Sequence, residues 1–313
     1  MLRRPLLAFM AVLVVLVLAA CGSNGAPQVS PTQAAAPPAE PFPVTVESAG
    51  APVTIATRPE RIVSLSPTAT ESLFAIHAGD QVVAVDDQSN YPAEAPHSKL
   101  SGYQPNVEAI AGYRPDLVVA AFDPSGLVKG LRKLGIPVLL QPAATNLDEA
   151  YAEIEALGLA TGHEPGAKTV VTRMRARIAE FVASASAGKS IAVYHELGPD
   201  YFSATSKTFI GSIYKLLGAE NIADGAGGKA PDYPQLSAEY ILSANPDVIV
   251  LSDTKCCGQS PETVAGRPGW SKIAAVRNGH VIPVDDDIAS RWGPRTVDFV
   301  EIVAGAIAEA GSP

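Results

Sequence analysis

The chain has 313 residues, 47% of them hydrophobic and 18% charged, with a formal net charge of −9. That length is enough for two domains of ordinary size. The acidic balance argues against nucleic acid or anionic lipid headgroups as partners, and the three cysteines lack iron–sulfur spacing.

Residues 1–20 read as a secretory signal. Arg3-Arg4 is followed by an apolar run from Leu6 to Leu18, and Leu18-Ala-Ala-Cys21 forms a lipoprotein-type cleavage box. The run is too short for the ~20 residues of a bilayer span. Cys21 would become the first mature residue, with lipid on its sulfur, and losing Arg3 and Arg4 would take the net charge to −11. Residues 21–43, rich in Ala, Pro, Ser and Gln, cannot bury a core and read as a tether.

The first lobe is expected over 44–162. Its strand candidates are Arg61–Leu65, Val82–Val85, Leu117–Ala120 and Pro137–Leu140, with helices near Asn106–Ala111 and Gly126–Leu134. After the first strand, Thr68 to Glu71 has capping-box spacing, and Ser66 before Pro67 is a second N-cap candidate. A linking helix is expected over 163–187. Ala167, Val170, Val171, Met174, Ile178, Phe181 and Val182 fall on one helical stripe, with charges opposite. The second lobe, 188–313, resumes the alternation. Its strands are Ser190–Tyr194, Val248–Leu251 and Val281–Val284, and its helices are Phe209–Leu217, Ala238–Ser243 and Thr296–Ala310.

An internal repeat ties the halves together. Val107-Glu-Ala-Ile-Ala-Gly-Tyr-Arg-Pro-Asp-Leu-Val-Val-Ala120 matches Ala238-Glu-Tyr-Ile-Leu-Ser-Ala-Asn-Pro-Asp-Val-Ile-Val-Leu251, so that Glu108 aligns with Glu239 and Asp116 with Asp247. Each copy reads as a short helix, a Pro-Asp turn and a buried parallel strand. The expected fold is α/β: two similar lobes with largely parallel sheets, joined by a single long backbone helix, with a ligand cleft between them.

In such sheets ligands gather at the carboxyl ends of the strands. Those ends carry Ser66-Pro67-Thr68, Asp86-Asp87-Gln88, Phe122-Asp123, His195-Glu196, Ser252-Asp253 and Asp285-Asp286-Asp287. His195 either ligates a group there or sits idle. Tyr103 and Tyr233, in loops facing the cleft, are packing surfaces for a flat organic ligand. Arg291, Trp292 and Arg295 put charge and one large aromatic beside it, and leaving Trp wet is costly. Cys256-Cys257 forms either a disulfide between neighbours or a free pair. No Gly-x-Gly-x-x-Gly follows a strand, and no Gly-x-Ser-x-Gly elbow is present. No catalytic residue, cofactor or metal site is assigned. The competing enzyme reading, a chelatase, would start from His195 and Glu196, and scattered histidines oppose a zinc or manganese receptor.

Taken in order, Arg61-Ile-Val-Ser-Leu-Ser-Pro-Thr-Ala-Thr-Glu71, Tyr91-Pro92, Asn106-Val-Glu-Ala-Ile110, Pro115-Asp-Leu-Val-Val119, Gly218-Ala-Glu-Asn-Ile222, Tyr233-Pro-Gln-Leu-Ser-Ala-Glu239 and Pro294-Arg295 resemble the substrate-binding proteins of cobalamin and ferric-siderophore ABC importers. The resemblance covers residues 60–308. It implies that Glu108 and Glu239 pair with arginines on the two permease subunits. It also implies that Tyr233, Asp287 and Arg291 line the pocket, joined by Tyr103 after a one-residue shift, whereas Pro67, His195 and Trp292 are candidate ligand contacts from their places at the strand ends and beside the cleft. The expectation is a monomeric, lipid-anchored extracytoplasmic protein that delivers cobalamin to a permease with ATPase subunits. The alternatives are a ferric siderophore or haem, and an acidic cleft suits an amide-rich corrinoid better than an anionic chelate.

Overall fold

The computed structural model describes residues 42–185, 190–226 and 231–312. The signal segment, Cys21 and nearly all of the tether lie outside them, as do residues 227–230 of the glycine-rich stretch. The described chain opens with an antiparallel ribbon that the sequence reading did not anticipate, β1 (Val44–Val46) against β2 (Val53–Ile55). The first lobe follows as β3 (Ile62–Leu65), α1 (Pro67–Ala75), β4 (Val82–Val85), α2 (Val107–Gly112), β5 (Leu117–Ala120), α3 (Leu127–Lys133), β6 (Val138–Leu140) and α4 (Leu147–Thr161). Then α5 (Glu164–Ala185) leads into β7 (Ala192–Glu196), α6 (Phe209–Leu216), β8 (Glu220–Asn221), α7 (Ala238–Ala244) and β9 (Val248–Leu251). The second lobe closes with α8 (Thr254–Cys257), α9 (Pro261–Ala265), α10 (Ala274–Asn278), β10 (Val281–Pro283), α11 (Asp286–Ser290) and α12 (Thr296–Gly311).

Each lobe holds one parallel sheet, ordered β4-β3-β5-β6 in the first and β8-β7-β9-β10 in the second. Counted within its own lobe, each sheet reads second, first, third, fourth strand. The repeat therefore occupies the same place in both sheets, at the third strand. Its equivalence extends to individual hydrogen bonds. The Asp116 amide donates to the Arg61 carbonyl at 2.9 Å, and its carboxylate accepts the Arg61 amide at 2.9 Å. Asp247 repeats both bonds with Ala192, at 2.8 and 3.0 Å. The Pro-Asp turn ties the third strand to the start of the first in each lobe.

The third strands also show how the core is layered. Leu117 and Val119 point into a core that continues through α1, α4, α5 and α12 into the second lobe, where Val248 and Val250 join it. Val118 and Ala120 face a separate outer core of the first lobe, and Ile249 and Leu251 the outer core of the second. The strands are apolar on both faces because both faces are covered. α5 contributes the expected stripe, with Ala167, Val171, Met174 and Ile178 buried and Val170, Phe181 and Val182 partly so. Each large apolar side chain buried there contributes about 1.5–3 kcal/mol. The lobes thus share one inner core around the linking helix.

α4 was not foreseen as a separate helix. Gly162, at φ 75°, ends it in the left-handed conformation and lets the chain reverse into α5. Gly158 permits the close approach, since a Cβ there would collide with Ala167. Two sequence expectations need correcting. The N-cap of α1 is Ser66, which accepts the Ala69 amide, so Glu71 is free of the capping role given by its spacing. And β7 runs two residues past the expected strand end, which draws His195 and Glu196 into the sheet.

Candidate functional site

At the carboxyl edge of the first lobe, Ser66 caps α1 and sets Pro67 at its first turn, where a missing amide hydrogen costs nothing. Asp86 follows β4, buried, with its carboxyl pushed up by burial although Ser89 donates to it at 2.6 Å. Gly102 packs so tightly over Asp86 and the Leu65 carbonyl that a Cβ would lie 2.8 Å from each. That contact fixes the next residue, Tyr103, whose ring sits 5.4 Å from Phe122 at the end of β5. Both are exposed, Tyr103 by 69% and Phe122 by 42%, although apolar rings favour burial. They form an aromatic shelf.

The second lobe faces this shelf through α11 and the turn after it. Pro67, Tyr103, Phe122, Asp86, Asp287, Arg291 and Trp292 line one cavity of about 510 Å³. Roomier grooves of about 600 and 680 Å³ lie along α4 to α6 and beside β2. Neither takes in the carboxyl ends of the parallel strands, so the cavity between the lobes is the candidate site.

Its polar end is a buried ionic cluster. Arg291 donates to Glu71 Oε1 at 2.7 Å, to Asn90 Oδ1 at 2.9 Å, to the Gln88 carbonyl at 3.0 Å and to Asp287 Oδ1 at 2.7 Å. Arg295 forks onto Glu71 through Nε at 2.9 Å and Nη2 at 2.6 Å, and lies over the Tyr91 ring at 4.3 Å. Burial pushes the Asp287 carboxyl up, but Asn90, Lys255 and Arg291 together take it below the usual carboxylate range. The charge of Arg291 is consumed inside the protein. On the other wall, the Trp292 indole donates to Glu153 of α4 at 2.7 Å. Burial raises the Glu153 carboxyl to about 7, against the pull of that hydrogen bond.

Two expected residues lie away from this cavity. His195 is wholly buried in the second lobe, with Nδ1 2.6 Å from the Tyr214 hydroxyl and Nε2 2.9 Å from Ser252 Oγ. Burial drives its pKa down to about 3, so it is a neutral core imidazole with both nitrogens engaged, and the expectation that it contacts ligand fails. Tyr233 stands half exposed on the second lobe, outside the cavity lining. Glu196, the other residue from which the chelatase alternative would start, is buried in a two-pronged ion pair with Arg267 at 2.6 Å for each contact. Asp253 is buried beside them. Burial, and then Glu196, raise its carboxyl to about 7. Among the described residues, no group of three or more His, Cys, Asp and Glu is gathered as a metal site.

Glu108 and Glu239 occupy equivalent positions. Each lies two residues beyond a capped N-terminus, Asn106 for α2 and Ser237 for α7, and each is exposed. Cys256 and Cys257 are joined to each other in α8.

A model of the family described as periplasmic binding protein matches residues 62–288. The chain belongs to that family. An uncharacterized ABC transporter substrate-binding lipoprotein of Bacillus subtilis, YvrC, is 33% identical over 94% of both chains. A cobalamin-binding protein of Halobacterium salinarum is 33% identical over 90% of this chain and 78% of its own. The solved vitamin B12-binding protein BtuF of Vibrio cholerae is similar with a TM-score of 0.68 and 28% identity, over 82% of this chain and 99% of that one. Structures titled as haem-binding and Fe3+-hydroxamate transport proteins share the fold as well. The protein is thus a substrate-binding protein of an ABC transporter.

Within this periplasmic binding protein, sequence reasoning missed Glu71, Glu153 and Phe122. Phe122 had been placed at a strand end, and an exposed aromatic there is the available signal. Glu71 had none, because its partners stand 220 and 224 positions away.

Proposed function

We propose that the protein is a lipid-anchored, non-enzymatic carrier that captures a corrinoid and delivers it to an ABC permease. The observation that carries this reading is the cavity's two-ended character. An aromatic shelf of Tyr103 and Phe122 is set against a polar end whose one cation among the lining residues, Arg291, is already paired with Asp287 and Glu71. A flat, amide-rich ligand of little net charge suits such a site. An anionic ferric chelate finds no spare positive charge there and meets the carboxylates of Asp86 and Asp287. The volume lies within the usual 300–1,000 Å³ of small-molecule sites, and a whole corrinoid would project beyond it through the mouth. The relatives named for cobalamin support the same choice.

Glu108 and Glu239 are the docking residues in this reading, because the repeat presents them alike to a two-fold partner. Cys21 carries the lipid, so that Cys21→Ser would release the protein from membranes and remove labelling by radioactive palmitate.

The test is a titration of the full chain in detergent with cyanocobalamin, haem and a ferric hydroxamate, read by tryptophan quenching. Trp292 lines the cavity, whereas Trp270 is 1% exposed and serves as a silent reference. Saturable quenching by cyanocobalamin alone, lost in Trp292→Phe, is the expected result. Quenching by haem or the ferric chelate alone would overturn the corrinoid assignment.

A further inference from the structure

The adjacent cysteines are wired to the ligand site. Cys256 and Cys257 are both exposed, on the single turn of α8, so the disulfide that joins them is open to small thiols. The same turn holds the acidic segment that forms one wall of the cavity. Asp286 Oδ1 accepts the Thr254 amide at 2.8 Å, the Thr254 hydroxyl at 2.9 Å and the Lys255 amide at 3.1 Å, while Oδ2 accepts the Cys256 amide at 2.9 Å. Lys255 Nζ spans Asp285 at 2.7 Å and Asp287 at 3.0 Å. Asp287 in turn holds Arg291 at 2.7 Å, and Arg291 reaches Glu71 in the other lobe. One covalent bond therefore stands two residues from the cavity wall.

From this connection we propose that Cys256–Cys257 is a redox modification site that sets the affinity of the cleft. With the bond closed, the ring through both cysteines keeps the turn shaped so that three successive amides converge on Asp286. A dithiol opens it. One thiolate of the reagent attacks a cysteine sulfur, breaking the Cys256–Cys257 bond so that the other cysteine leaves as a thiolate and a mixed disulfide remains. The second thiol of the reagent then displaces the protein sulfur and closes its own disulfide, leaving two protein thiols and carrying off two electrons' worth of oxidation. The freed Cys256–Cys257 peptide no longer holds the amides of α8 together. Lys255 then releases Asp285 and Asp287, and Arg291 loses the carboxylate that orients it toward the cavity. An exported protein meets an oxidising compartment, so the closed, high-affinity form is its resting state.

The ligand arm of the test rests on the corrinoid reading; the structural arm does not. Alkylation and mass spectrometry of the full chain should find Cys256 and Cys257 blocked until dithiothreitol is added. Reduction, or the double variant C256S/C257S, should speed amide hydrogen exchange of peptides covering 254–257 and 285–292 and leave α5 unchanged. Cyanocobalamin should bind roughly fivefold more weakly to C256S/C257S, in keeping with the modest worth of half-exposed ion pairs. Lys255→Ala should weaken it comparably while the disulfide is closed and change it little once the disulfide is reduced, because Lys255 has by then released Asp285 and Asp287. Free thiols in the protein as isolated, resistance of the folded protein to dithiothreitol, or identical exchange of 285–292 in both forms would each overturn the proposal. Failure of cyanocobalamin to bind either form, with exchange still responsive to reduction, would overturn the corrinoid reading and leave the redox site standing.

Discussion

Glu71, buried on the first helix of one lobe, receives both the Nε and Nη2 hydrogens of Arg295 from the other lobe, 224 residues away. Arg291 joins them, so one carboxylate holds two guanidinium groups. Removing one member of such a cluster strands the others as uncompensated buried charge, which costs about 3–5 kcal/mol. Glu71→Gln should lower unfolding stability by that order in urea melts, and Glu71→Asp by less.

The same cluster and the shared inner core limit relative movement of the lobes. Free and cyanocobalamin-loaded protein should give the same radius of gyration by small-angle X-ray scattering, with only a small opening at the cleft. A wide hinge rotation would contradict the continuous core around α5.

Glu153 should make stability and cavity fluorescence depend on pH. Its carboxyl is raised to about 7 in the fold from an ordinary 4.5. The folded state then binds the proton more tightly than the unfolded chain, so this group lowers stability as pH rises from about 4.5 to about 7, with no further change above. Asp253, also raised to about 7, acts in the same direction. His195, lowered to about 3 from 6.5, acts oppositely: the unfolded chain takes the proton first, and stability falls as pH drops below about 6.5. Glu153→Gln keeps an acceptor for the Trp292 indole. It should remove the Glu153 share of the stability lost between about pH 4.5 and 7, leaving the share due to Asp253, and abolish a Trp292 emission change centred near pH 7.

The aromatic shelf should matter for binding and little for folding. Tyr103 and Phe122 are both exposed, so the double change to Ala should leave the melting temperature nearly unchanged. Affinity for the flat ligand should fall tenfold or more, as loss of aromatic contacts at a binding surface commonly costs about 1–2 kcal/mol or more each. An unchanged affinity would remove the shelf from the site.

Replacing Glu108 and Glu239 together by Ala should abolish cobalamin uptake by cells and leave binding by the purified protein intact. Both are exposed, with substitution effects on stability within about 0.5 kcal/mol. Because the repeat makes them equivalent, each single variant should impair uptake to a similar degree. Unimpaired uptake by the double variant would exclude them as docking residues.

How much of this was legible beforehand depends on the range of the physics involved. The alternation of strands and helices, the stripe of α5 and the repeat containing Asp116 and Asp247 follow from periodicity and turn chemistry within a few residues. The sequence by itself therefore determined two similar α/β lobes joined by one helix. It also brought Pro67, Tyr103, Asp287, Arg291 and Trp292 to strand-end loops, where the structure gathers them around one cavity. What only the tertiary structure decided depends on contacts that no local pattern encodes. The last two residues of β7 look like a loop start, yet pairing with β9 places His195 and Glu196 inside the sheet, where imidazole must be neutral and carboxylate must be paired. Glu71 has the spacing of a helix cap, yet folding sets it opposite two arginines from the far end of the chain. Desolvation then makes that pairing obligatory, because a buried charge is tolerated only beside its opposite.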